Sequence, residues 1–168
     1  YYQLAGLTGQ GLQPFQGWWH EFPPIPGFLI SGIYGLLGAN ANYTAFAMLF
    51  SLIMLMADVG NLILIRAIGT RLHGSIIGTA IAWVYALFAA PLVFIYWNFE
   101  PLVAFFLLLS LALLLRGKIS RSAVLAAVGT LVKFTPALIL GAVWRFRKVK
   151  EAARFTAITA TIFAAVYL

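Results

Sequence analysis

The chain has no cysteine, only four acidic residues and, across its first 65 positions, no lysine or arginine. Without cysteine there are no disulfides and no thiolate metal sites, and the compartment stays open. With so few charges, each one can be weighed singly. Also missing are a glycine-rich phosphate loop, a nucleophile elbow and any cluster of histidines and carboxylates at metal-ligand spacing. His20 alone does not make a metal site, and His73 sits beside arginines, so the sequence supports no metal or other cofactor.

What is present is apolar. Of 168 residues, 63% are hydrophobic and 9% charged, and the mean hydropathy is +0.98. Soluble domains are roughly half apolar and a quarter charged. This composition predicts an all-α, multi-pass integral membrane protein. The formal charge of +7 does not point to nucleic acid, because the basic residues flank apolar runs and do not interleave with a binding surface. Tyr1 is not an initiator methionine, and the apolar run 152–168 stops without a polar flank, so residues 1–168 read as part of one larger transmembrane domain.

Ten of the eleven basic residues lie in three clusters: Arg66 and Arg71; Arg116, Lys118 and Arg121; and Arg145, Arg147, Lys148, Lys150 and Arg154. Lys and Arg are enriched in cytoplasmic loops, which places all three clusters inside and residues 1–38 outside. The external part should be an interfacial loop followed by a short helix, anchored by Trp18 and Trp19. Residues 42–65 then form a first inward span, about 36 Å long at about 1.5 Å per residue, against a hydrocarbon core of about 30 Å. Residues 74–95 return outward, with Pro91 near the outer end, and residues 96–101 make a second external turn. The next span, 101–115, has an apolar run of about 21 Å, short for a crossing. Either its helix begins inside the turn or the turn sinks below the membrane surface. Residues 152–168 are a final, truncated span.

The eleventh basic residue, Lys133, stands alone in an apolar run. An ammonium at membrane depth costs about 2.5 to 3.5 kcal/mol on insertion scales, so it normally faces a protein-lined cavity or a partner. Its segment, 122–144, is flanked by basic clusters at both ends. A single crossing would leave five basic residues outside, whereas a helical hairpin breaking at Lys133-Phe134-Thr135-Pro136 would keep both clusters inside. The residue before Pro is biased away from helix, Thr is a good N-cap and Pro suits the first helical position. A helix starting at Pro136 would aim free amides and a positive dipole end at the ammonium, a setting for phosphate or carboxylate. A structural lysine, paired with a buried carboxylate or snorkelling along a kinked helix, meets the same observations.

Of the four acids, Glu151 lies among cytoplasmic cations and reads as a solvated partner. Asp58, inside the first span, reads as a structural carboxylate bonded to Asn61, to a neighbouring helix or near the cytoplasmic interface. Glu21 and Glu100 are both external, beside prolines and aromatics. An aromatic loop with His20 and Glu21 can clasp a sugar, rings stacking on C–H faces and the carboxylate binding hydroxyls. An anchoring loop with incidental polar residues fits equally, and Asn98 and Glu100 are also ordinary helix-start residues.

Three short motifs carry a family resemblance. Gly11-Leu12-Gln13-Pro14-Phe15 followed by His20-Glu21-Phe22-Pro23-Pro24, then Asn98-Phe99-Glu100-Pro101-Leu102, then Gly129 through Lys133 to Pro136 occur in that order. Together they resemble the GT-C superfamily of polytopic glycosyltransferases, especially its bacterial polyprenol-phosphate-sugar dependent mannosyltransferase-like branch. The resemblance implies a GT-C-like helix bundle in a bacterial or archaeal plasma membrane, with external juxtamembrane helices and a short broken helix pair. It implies transfer of mannose or another sugar from a polyprenyl-phosphate donor to a glycan, glycolipid or protein acceptor at the external face. Lys133 and Thr135 would hold the donor phosphate, and His20, Glu21, Asn98 and Glu100 would shape the sugar or acceptor pocket. The family's general-base Asp would precede Tyr1, and Glu100 stands where the family shows Asp. The rival expectation is a transporter or noncatalytic membrane subunit in which Lys133 and Asp58 line a path through broken helices.

Overall fold

The computed structural model describes residues 1–88 and 98–167. They form eight α-helices and no strand: α1 Tyr2–Thr8, α2 Pro24–Leu37, α3 Tyr43–His73, α4 Ser75–Leu87, α5 Glu100–Leu115, α6 Ile119–Val132, α7 Ile139–Phe146 and α8 Val149–Tyr167. Short 3-10 turns at Gly38–Asn40 and Thr135–Leu138 precede α3 and α7. The fold of the described residues is thus all-α.

The longest element, α3, is capped by Asn42, whose side chain accepts from the Ala45 amide at 2.9 Å. Its expected end at Ile65 is too early. The helix continues through Arg66 to His73, because Arg, Ala, Ile and Leu in this stretch all favour helix and the stop is Gly74, at φ 89°. Arg71 and His73 in the last turn suit the negative end of the helix dipole. At 31 residues α3 is about 46 Å long, and it is the one described helix both long and apolar enough to cross a membrane. The single-residue link at Gly74 folds α4 back against α3, with Gly78 so close to Thr70 that a Cβ there would collide with its backbone. The outer end of the expected 74–95 span, Pro91 and Tyr96-Trp97 included, lies outside the described residues.

Helix α5 takes in Glu100 and Pro101 from the expected turn. The Asn61 side-chain amide donates to the Pro101 carbonyl at 2.9 Å, so α5 starts about 27 Å along α3 from Tyr43. The short apolar run is accommodated because its helix begins partway down a longer neighbour. Buried Ser110 of α5 and Ser122 of α6 then lock these two helices. Ser110 Oγ donates to the Ser122 carbonyl at 2.9 Å, and Ser122 Oγ donates to the Ser110 carbonyl at 2.7 Å.

After α6 the chain reverses. Lys133 is extended, at φ −158° and ψ 148°, and the 3-10 turn leads into α7. The links before α6 and before α8 line one common cavity, so the strand of chain that rises through α6 returns through α7 to the same end. Helix α8 rises again beside it and brings Phe163 to within 6.1 Å of Phe134 at the reversal. Small residues permit this packing: Ala123, Ala126 and Ala152 surround Ile139, Val143 and Phe155 in one buried cluster. Thr135 does not act as the N-cap. The turn opens at Phe134 without a side-chain cap, and Pro136 is buried against Gly129.

Over the opposite end lie α1 and α2. Tyr2–Thr8, expected as part of an interfacial loop, is helical because Ala5 and its neighbours pack into the main core with Ile30 and Ile33 of α2. Helix α2 starts at Pro24, where a proline's fixed φ suits the first turn. It packs into the core formed by Phe46, Phe50, Met54, Phe99 and Val132.

Ser110→Ala or Ser122→Ala should each cost about 1 kcal/mol, since each removes a buried hydrogen bond between the two helices. Denaturant unfolding of the two single variants and the double variant checks this, the double costing less than the sum.

Candidate functional site

The loop between α1 and α2 is shaped to present His20. Phe15 adopts φ 64°, its amide donates to the Trp18 carbonyl at 2.8 Å, and the Trp18 indole donates to the Leu12 carbonyl at 3.3 Å. His20 is then buried in an aromatic group of Tyr1, Trp18, Phe22 and Phe99, with ring centroids 5.4 to 6.4 Å away. The Phe22 amide donates to His20 Nδ1 at 3.2 Å. A donor at that nitrogen requires it to be unprotonated, which puts the ring proton of the neutral imidazole on Nε2. Burial holds His20 below its usual value near 6.5, against the upward pull of the Glu21 carboxylate.

Lys133 is brought to this group by the chain reversal. Its ammonium donates to Glu100 Oε1 and lies 5.7 Å from the centre of the Phe22 ring. Glu100 is in the first turn of α5, where a carboxylate is favoured by the helix dipole. The two side chains are 35% and 50% exposed, so the pair borders open space. Exposed pairs of this kind contribute about 0–1 kcal/mol. Its position, not its strength, is what distinguishes it.

Tyr1 closes the other side. Its ring lies 4.9 Å from Phe99 and 5.7 Å from Phe50. Burial, then the nearby Glu21 and Glu100 carboxylates, raise its phenol above the usual value of 10. Tyr1 therefore keeps its proton at neutral pH, and both carboxylates lie within electrostatic reach of one hydroxyl.

Of the residues singled out from sequence, His20, Glu21, Glu100 and Lys133 converge here. Asn98 is half-buried immediately before Phe99, and Thr135 is exposed on the turn beyond Lys133. The aromatic walls, Tyr1, Phe22 and Phe99, were not singled out as site residues, although their adjacency to Glu21, Glu100 and the prolines is the signal that marks them. Asp58 has a different partner: it accepts from the Tyr85 hydroxyl of α4, while Asn61 is committed to Pro101. Among the described residues no group of three His, Asp or Glu side chains is placed to hold a metal ion.

Chemically, the arrangement sets one partly exposed cation and two exposed carboxylates beside half-buried aromatic rings, with the neutral imidazole of His20 buried behind them. An anion can displace Glu100 from the ammonium, and hydroxyls can be bound by the carboxylates. No family model matches the chain, and no curated protein or solved structure matches it.

Because the folded state holds His20 with a lowered pKa, the unfolded chain binds more protons in acid, and stability falls as pH drops below about 6.5 toward the folded value. Thermal midpoints between pH 7.5 and 5.5 should fall in the wild type and fall less in His20→Gln.

Proposed function

We propose that this chain transfers a sugar from a polyprenyl-phosphate donor to an acceptor at the external face of a membrane, in the manner of GT-C glycosyltransferases. In this reading the described helices are part of a polytopic bundle with its basic end in the cytoplasm, and the aromatic group around Lys133 faces outward. The observation that carries the proposal is the meeting of Lys133 and Glu100 beside Phe22 and His20. Residues from three motifs, separated by more than a hundred positions, meet in one group.

The division of roles follows from charge. Lys133 offsets the phosphate of the donor and the charge that develops as the lipid phosphate leaves. Thr135, on the exposed turn, can add a hydroxyl to the same phosphate. Phe22 and Tyr1 offer ring faces to the sugar and Glu21 and Asn98 supply polar contacts, while buried His20 and Phe99 back them. Glu100 holds the ammonium in place until the donor arrives and is then free to meet a hydroxyl of the acceptor. No described carboxylate is assigned as general base.

A transporter or noncatalytic subunit in which Lys133 and Asp58 share one path draws less support. Each of the two has its own partner, Glu100 for the lysine and Tyr85 for the aspartate.

In the complete protein, Lys133→Ala should lower transfer from a polyprenyl-phosphate sugar by at least a hundredfold, about 2.7 kcal/mol of transition-state stabilisation. Its thermal midpoint should barely move, since an exposed pair contributes about 0–1 kcal/mol. Near-normal transfer by a folded Lys133→Ala protein contradicts the assignment.

A further inference from the structure

At the end of the bundle opposite Lys133 lies a cavity of about 590 Å³, between the α5–α6 link and the α7–α8 link. This is within the range of about 300–1,000 Å³ typical of small-ligand sites. Its charged lining is Lys118, Arg121, Lys148, Lys150 and Arg154, with Glu151 as the single carboxylate. Among the described residues the salt bridge found is Lys133–Glu100, so these five cations have no paired carboxylate.

Two helices begin at this cavity, α6 at Ile119 and α8 at Val149. Their first amides have no acceptor within the helix, and Lys118, at the N-cap of α6, provides none from its side chain. Arg121 and Lys150 sit in these first turns, where the dipole disfavours cations. Cations from two separate links are thus gathered against their mutual repulsion and against two dipole ends. The links are also fixed to each other: Gly117 takes φ 73° to turn the first, and the Arg147 guanidinium of the second donates to the Leu114 carbonyl at the end of α5. The cavity is built before any ligand enters, and every charge in it except Glu151 favours an anion.

We propose that this cavity binds a phosphate-bearing anion, and that its occupant is the headgroup of an anionic phospholipid. The choice of a lipid rests on the membrane orientation proposed above, which puts the basic end at the cytoplasmic leaflet, where anionic lipids concentrate and basic pockets between helices hold their headgroups. Guanidinium and ammonium groups bind phosphate oxygens through charge-assisted hydrogen bonds, Arg121 and Arg154 with bidentate geometry.

The complete protein in phosphatidylcholine nanodiscs, titrated with phosphatidylglycerol and followed by native mass spectrometry of the retained lipids, tests this. The wild type should retain phosphatidylglycerol over phosphatidylcholine by about tenfold or more, and Arg121→Gln/Lys150→Gln/Arg154→Gln should lose that preference. Arg66→Gln/Arg145→Gln, which removes two cations outside the cavity, should keep it. Equal preference in the cavity and control variants overturns the site. Inorganic phosphate binding without any phosphatidylglycerol preference overturns the lipid as source. Should the triple variant not fold, Arg154→Gln alone reads the same preference with a smaller loss, and an unchanged preference overturns the proposal. Lys133→Ala in the same discs should leave lipid preference intact, so a failure of this site and a failure of the transfer reading register on different variants.

Discussion

An ammonium in an apolar stretch needs a counter-charge, and in this chain the break after Val132 puts Lys133 within reach of one. If α6 continued past Val132, Lys133 would be carried along its side wall. Ending the helix there and extending the lysine lets its side chain reach Glu100 at the start of α5. The reversal has wide consequences. It turns residues 119–146 into a short up-and-down pair, seats Pro136 on Gly129, and gives α8 a surface of small residues to pack on. The start of α5 is fixed independently, by the Asn61 bond to Pro101, so both partners of the ion pair are held by backbone features rather than by their own attraction.

This organisation separates the charges of the molecule. At one end, Lys133 meets Glu100 among rings supplied by the α1–α2 loop and Phe99, and Glu21 lies close by. At the other, cations gather with little to balance them. A chain with so few acids has placed one of the four against the isolated lysine and a second, Glu21, near the Tyr1 and His20 rings of the same group. An exposed pair of this kind contributes little to stability.

The parts of the fold that could be read from sequence are those set by local chemistry. Pro136, with the basic clusters on both sides of residues 122–144, marks the reversal, and Asn42 marks the start of the long helix. The misread features depend on packing. Nothing local in Tyr2–Thr8 demands a helix, which forms because Ala5 is buried against α2. The end of α3 was set at the first arginine, although arginine is a good helix former and only Gly74 stops the chain. In the site, Lys133, Glu100, Glu21 and His20 stood out as rare residue types, whereas the two phenylalanines that complete it are lost among twelve others of their kind. That Glu100 would be the partner of Lys133 could not be read from sequence, since it follows from the point at which α5 starts beside α3.

The central claim is that Lys133 is held by Glu100 until a lipid phosphate takes its place. Titration of the complete protein with polyprenyl phosphate, read by calorimetry, tests it most directly. Lys133→Gln should weaken binding by about tenfold or more, the loss of one charge-assisted contact, and Glu100→Gln should tighten it by removing the competing carboxylate. Opposite shifts from two substitutions in one ion pair are what the account predicts; equal affinities in all three proteins, or weaker binding in both variants, would contradict it.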